Sequence, residues 1–232
     1  MTKPWFKRQP KLVEAIRKDL EARYPDLRFV EEGDTAFVRG SFPIVHEGRA
    51  LARYQIEVEF LPDYPHCLPR LRETEGRIPH ILDRHVLPTS GTACLFVDED
   101  WLLTVGGEPS LREFLDGPVR DFFLGQALVE AGKPWPFGER SHGIKGLLEA
   151  YGEWFGTEDE AVILRHVDYL SREKIKGHWE CPCGSGQKLR KCHLEEVRKL
   201  QQRIPRLLAR QALERLRYAQ QLTAKNFSQQ SS

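Results

Sequence analysis

The chain has 232 residues, 40% of them apolar and 10% aromatic, enough to bury the core of one ordinary domain and an appendage. Its formal net charge of +1 singles out no class of partner. No run nears the roughly 18 consecutive apolar residues of a membrane-spanning helix, which argues against a helical anchor.

The placement of charge says more than its total. From Lys188 onward there are eleven Lys and Arg against three Asp and Glu, a surplus of eight, whereas the residues before it hold 24 bases against 31 acids. Two surfaces of opposite sign predict two modules. The opening residues, MTKPWFKRQPKL, lack the apolar run of a secretory leader. Five cysteines, three of them clustered, fit a reducing compartment and a metal site better than a disulfide framework, so a cytoplasmic location is expected.

Pro10 opens a helical pattern in which Leu12, Val13, Ile16 and Leu20 share a face, and Pro25 ends it. Strand signals follow. Ala36, Val38, Phe42 and Ile44 fall on one parity, with Gly40 at a bend and a turn at His46-Glu47-Gly48. Tyr54 to Phe60 then alternates apolar and polar residues, the mark of an antiparallel strand with one solvated face. Leu61-Pro62-Asp63-Tyr64-Pro65 stops it, and Arg70 to Thr74 offers one more short strand. Between Gly76 and Gly107 no period is sustained, although His80, His85, Cys94 and Trp101 all lie there; a long irregular segment of this kind is often functional. Ser110 and Glu113 make a capping box for a helix carrying Leu111, Phe114, Leu115, Val119, Phe122 and Phe123. After irregular Ala131–Gly143, one helix is expected from Ile144 to about Lys176. Beyond His193, a stripe of Leu194, Val197, Leu200, Ile204, Leu207 and Leu208 predicts a basic amphipathic helix kinked at Pro205. The polar end from Asn226 is expected to be disordered.

The order helix, antiparallel meander, irregular segment with one cysteine, helix describes an α+β domain, and it resembles the ubiquitin-conjugating enzymes. Phe60-Leu-Pro-Asp-Tyr-Pro65 is similar to their P-x-x-Y-P stretch, and Gly91-Thr-Ala-Cys94-Leu95 to their G-x-x-C-L active-site segment, with Trp101 seven residues on. The likeness covers roughly residues 10 to 135. It implies that Cys94 carries an acyl group as a thioester, thiolate being both a strong nucleophile and a good leaving group. The alternative is that Cys94, beside Ala93 and Leu95, is a small buried apolar side chain. Cys67, between two prolines, is read as structural. The family's His-Pro-Asn is absent, and Asp83-Arg84-His85-Val86 stands nearest to it. His85 falls near the missing asparagine and can donate to an oxyanion or act as a general base, or it is an ordinary loop histidine; His80 and His142 remain further candidates. This departure resembles the bacterial relatives, some of which belong to anti-phage operons of the CBASS type. There the implied role is to join the C-terminus of a cGAS-like nucleotidyltransferase to a target.

The second motif is Cys181-x-Cys183 with Cys192-His193 beyond it, four ligands within 13 positions. Zinc takes thiolate and imidazole tetrahedrally, Gly184 and Gly186 permit a tight turn, and Trp179 and Leu189 can shield the site. The stretch resembles the SEC-C zinc motif. Four protein ligands close the coordination shell, which predicts a structural Zn2+ rather than a catalytic one.

These readings divide the chain into a ubiquitin-conjugating-enzyme-like domain (1–138), a helical connector (139–178), the zinc motif (179–196), and a basic helix with a disordered end (197–232). The expected partners are proteins: a cGAS-like nucleotidyltransferase or another ubiquitin-like C-terminus as passenger, and a separate activating enzyme, because no Gly-rich nucleotide loop is present. No membrane partner is expected, and the acidic first module argues against nucleic acid. Three other readings remain: a catalytically inactive binding subunit docking through its zinc tail, a Cys–His peptidase, and a nucleic-acid adaptor resting on the basic tail.

Overall fold

The structure, a computed structural model, describes residues 3–95, 101, 110–137, 141 and 143–230, with side chains as far as 222. It divides into two compact units, residues 1–96 with 108–139 and residues 97–107 with 140–232.

The first unit begins with α1 (Trp5–Arg8) and α2 (Pro10–Arg23). Pro10 suits the start of α2 because the N–H it lacks would have no partner within the helix. Val13, Ile16 and Leu20 form the buried stripe of α2. Helix α1 is too short to show a period in sequence, yet Trp5 and Phe6 are both buried. The Trp5 ring sits 4.7 Å from that of Tyr64 and 5.2 Å from that of Phe60.

Strands β1 (Leu27–Glu32), β2 (Thr35–His46), β3 (Arg49–Phe60) and β4 (Arg70–Glu73) form an antiparallel sheet in chain order. Side chains alternate faces along a strand, and both expected apolar parities point inward: Ala36, Val38, Phe42 and Ile44 from β2, then Tyr54, Ile56, Val58 and Phe60 from β3. Gly40 has φ 140°, and a Cβ there would stand 2.0 Å from the Asp26 carbonyl oxygen, so the close approach of β1 requires glycine. Strand β1 itself showed no signal, since only Leu27 and Phe29 of its six residues are buried.

Ser110 accepts a hydrogen bond from the Glu113 N–H (3.2 Å), and the Glu113 carboxylate accepts one from the Ser110 N–H (2.8 Å). This capping box opens α3 (Leu111–Phe114), which widens into a π-helical turn (Leu115–Val119) and continues as α4 (Arg120–Glu130). Pro118 lies in the wide turn, which accommodates a residue with no N–H to give. All six apolar residues expected on this helix are buried. The unit is an α+β structure whose helices and sheet share one core.

The second unit is helical: α5 (Gly143–Phe155), α6 (Glu160–Ser171), a cysteine-rich turn, α7 (Leu194–Arg203) and α8 (Arg206–Gln230). The single helix expected from Ile144 to Lys176 is two helices. Gly156, at φ 65°, ends the first, and the Asp159 carboxylate caps the second by accepting from the Ala161 and Val162 N–H groups at 2.8 and 3.2 Å. The break at Pro205 is where the sequence put it. The end expected to be disordered is helical in backbone as far as Gln230.

Leu147, Tyr151, Ile163, Val167 and Leu170 pack with Cys181, Leu189, Val197, Leu208 and Leu213 in one core. Residues 143–171, read as a connector, therefore supply one side of it. The apolar face of the basic tail meets this core, leaving Arg206, Arg210, Arg215 and Arg217 exposed. No helix among the described residues is long and apolar enough to cross a membrane.

Candidate functional site

Cys94 stands at the end of a small hairpin on the edge of the first unit's sheet. Val86 and Ala93 form an antiparallel bridge, as do Arg72 and Thr92. The Leu87 N–H donates to the Thr92 carbonyl and the Gly91 N–H to the Leu87 carbonyl, both at 2.9 Å, with Gly91 at φ 65° closing the turn. The Ala93 N–H donates to the Leu71 carbonyl (2.8 Å) and ties the hairpin to β4. One residue on, the Cys94 N–H donates to the His85 carbonyl at 2.7 Å. The Pro-Thr-Ser-Gly turn thus presents Cys94 beside His85, two residues that the sequence paired only by analogy. The thiol is half-buried, and desolvation raises it above its ordinary value, so it is protonated at neutral pH.

The His85 side chain is 9% exposed, and its ring stacks at 4.3 Å on that of Trp135. Trp135 fits because residue 125 is glycine; a Cβ there would lie 2.4 Å from the indole. The backbone before His85 is clamped from α4. Gln126, fully buried, donates through Nε2 to the Arg84 carbonyl at 2.6 Å, and its Oε1 accepts from Arg84 Nε at 2.8 Å. Trp135, Gln126 and Arg84 were not legible as site residues, because their roles depend on a helix meeting a loop some 40 residues away in sequence. The His80 ring lies under Gly91, 2.7 Å from where a Cβ would be. His142 lies outside the described residues. Trp101 is half-buried and belongs to the second unit. Cys67 packs against the first unit's core, as a structural residue would.

The second candidate lies between α6 and α7. The Cys181 N–H donates to the Gln187 carbonyl and the Leu189 N–H to the Trp179 carbonyl, each at 2.7 Å, folding residues 179–189 into a tight loop. Gly184 and Gly186, at φ 81° and 72°, make the bend. The loop is tied to α6, where Arg165 Nε donates to the Pro182 carbonyl and the Tyr169 hydroxyl to the Glu180 carbonyl, both at 2.8 Å. All four expected ligands converge. Sγ of Cys181 is 3.3 Å from His193 Nδ1, Sγ of Cys192 is 3.1 Å from the same nitrogen, and the Cys183 and Cys192 sulfurs are 3.6 Å apart. The four donor atoms lie within 4.8 Å of one another. A tetrahedral site with metal–sulfur bonds of about 2.3 Å has sulfur–sulfur edges of roughly 3.8 Å, so the donors fit one metal ion. Burial pushes the Cys181 thiol up to about 11. Cys183 is also desolvated, but hydrogen bonds from the Ser185 hydroxyl and backbone and from its neighbouring thiols bring it down to about 6. The two thiols are thus held unequally, and a cation binds cysteine as thiolate, so metal binding releases whatever thiol protons remain.

Against the ring of His193 stands His166 of α6, with centroids 5.8 Å apart and planes at 85°. His166 is 1% exposed and stacks on Phe155 at 4.2 Å. No sequence signal marked it, since a lone histidine on an apolar helix face reads as packing.

The arrangement defines a closed turn of three cysteines and one histidine able to hold a metal ion. The SEC-C motif model matches residues 180–195, the stretch that forms it. No curated protein and no solved structure matches the chain.

Proposed function

We propose that the protein is a conjugating-type acyl carrier with Cys94 as its thiol and a zinc-stabilised helical module for docking. The observation that carries this reading is the hairpin on the sheet edge, which presents a half-exposed cysteine whose backbone is fixed by His85. The element order of helix, four-stranded meander, cysteine segment and helix supports it. In the first step the Cys94 thiol attacks the carbonyl carbon of a thioester supplied by an ATP-dependent activating partner. A carbon–sulfur bond to Cys94 forms, the bond to the partner's sulfur breaks, and the thiol proton goes to the departing thiolate. In the second step an amine attacks, an amide forms, and Cys94 leaves as the thiol with the amine's proton. A raised thiol pKa is compatible with this chemistry, because exchange between two thioesters is nearly balanced and needs no strongly activated nucleophile. His85 acts through its backbone carbonyl, holding Cys94 in place. The passenger is a protein C-terminus, such as that of a cGAS-like nucleotidyltransferase in anti-phage defence.

Zinc is the metal that three thiolates and one imidazole favour, and with no open position it is structural. When bound it supplies the polar core that the short loop cannot build from apolar side chains.

A second reading is favoured by the same desolvated thiol: a binding subunit on the same scaffold, with Cys94 serving only to pack. Intact mass spectrometry separates them. Wild type and Cys94→Ala are isolated from cells carrying the neighbouring genes, with and without reductant. A protein-sized adduct on wild type alone, lost with thiol, supports the carrier. No adduct when an activating partner and passenger are supplied leaves the binding subunit.

A further inference from the structure

We infer that His166 is a positioning residue for the metal centre, accepting through Nε2 a hydrogen bond from the Nε2–H of metal-bound His193. The inference rests on the turn holding a metal and goes beyond the four ligands. It begins with which nitrogen of His193 faces the sulfurs. Nδ1 is the atom that lies 3.3 Å from Cys181 Sγ and 3.1 Å from Cys192 Sγ. A metal bound there leaves the neutral imidazole its proton on Nε2, and a ligating histidine is oriented by an acceptor for that proton.

His166 has the acceptor to give. Its Nδ1 is 2.9 Å from the Val162 carbonyl, an oxygen that only accepts, so Nδ1 carries the proton and Nε2 a lone pair. Among the described residues that Nε2 is buried without a hydrogen-bond partner. A buried polar atom left unmatched is destabilising, so it is retained for a reason or is matched when the site is filled. Phe155 stacks on the His166 ring at 4.2 Å, and the His193 ring lies edge-to-face with it, centroids 5.8 Å apart and planes at 85°. Helix α6 also holds the loop through Arg165 and Tyr169, so it fixes both the backbone around the ligands and the proton of one of them.

The test compares wild type, His166→Phe and His166→Gln as full chains. Phenylalanine keeps the ring against Phe155 and removes the acceptor; glutamine restores a polar atom near the place of Nε2. Zinc content is measured first by elemental analysis, and zinc affinity by competition with a chromogenic chelator. The expected result is one zinc per wild-type chain, an affinity about 10–100-fold lower for His166→Phe, and recovery to within about threefold for His166→Gln. Wild-type affinity in His166→Phe overturns the inference and leaves the metal site standing. A wild type that binds no zinc overturns both. A readout without variants is the long-range proton–nitrogen spectrum of the imidazoles in zinc-loaded wild type. His193 should be protonated on Nε2 and His166 on Nδ1; a proton on Nε2 of His166 sinks the proposal.

Discussion

Replacing Gln126 with leucine should loosen the Cys94 hairpin from a distance. Gln126 is fully buried on α4 and makes two hydrogen bonds to one residue, Arg84 Nε at 2.8 Å and the Arg84 carbonyl at 2.6 Å. Leucine fills nearly the same volume, so a cavity contributes little. The hydrogen bond from the charged guanidinium is worth about 1.5–3 kcal/mol, and the stranded carbonyl adds about 1–3 kcal/mol. Burying the additional apolar surface of leucine offsets about 1 kcal/mol. The net loss is about 1.5–5 kcal/mol. With a urea dependence of about 2 kcal/mol per molar, the unfolding midpoint of the first unit should fall by roughly 0.8–2.5 M. Because Arg84 immediately precedes His85, whose carbonyl holds the Cys94 N–H, the Cys94 peptide should also alkylate several-fold faster under native conditions. Tryptophan fluorescence follows the unfolding, and peptide mass spectrometry follows the thiol. A midpoint shift below about 0.5 M with unchanged alkylation would show that the clamp does not hold the hairpin.

Other outcomes follow from the same geometry. Burial raises the Cys94 thiol, so at pH 7 a smaller fraction is thiolate than in a free cysteine; its alkylation should be slower than that of a model peptide and keep climbing above the pH where the peptide levels off. For stability the sign is unfavourable at high pH. The folded state holds this proton longer than the unfolded state does, so stability is lost as pH rises through the ordinary thiol range. Chelation of the metal, or Cys192→Ser, should lower the melting temperature of the second unit and leave the first unit's transition in place, as read by calorimetry; a single unchanged transition would refute a structural metal. Leu213→Ala should destabilise the second unit by about 2–5 kcal/mol, because Leu213 of α8 is buried in its core. Tyr218→Ala, on the exposed face of the same helix, should shift stability by less than about 0.5 kcal/mol, and the two chemical-denaturation curves check both.

Much of this protein was written into local patterns. Alternation fixed which sides of β2 and β3 are buried, since side chains on a strand can only alternate. The Ser110–Glu113 box and Pro205 marked helix ends because caps and prolines act within a turn of where they stand. The metal ligands were equally legible: short spacings with two glycines bring Cys181, Cys183, Cys192 and His193 together almost whatever surrounds them. The tertiary structure decided what depends on distant segments meeting. Strand β1 exists because β2 pairs with it across Gly40, not because LRFVEE carries a signal. The helix expected to run to Lys176 breaks at Gly156, where a left-handed residue and the Asp159 cap outweigh a continuous apolar count. The tail's apolar stripe is answered by α5 and α6, which no charge count could show. Around the two candidate sites, the cysteine and the ligands were visible in the chain. What holds them was not: Gln126 and Trp135 behind His85, and His166 behind His193, are ordinary residues until folding sets each beside its partner.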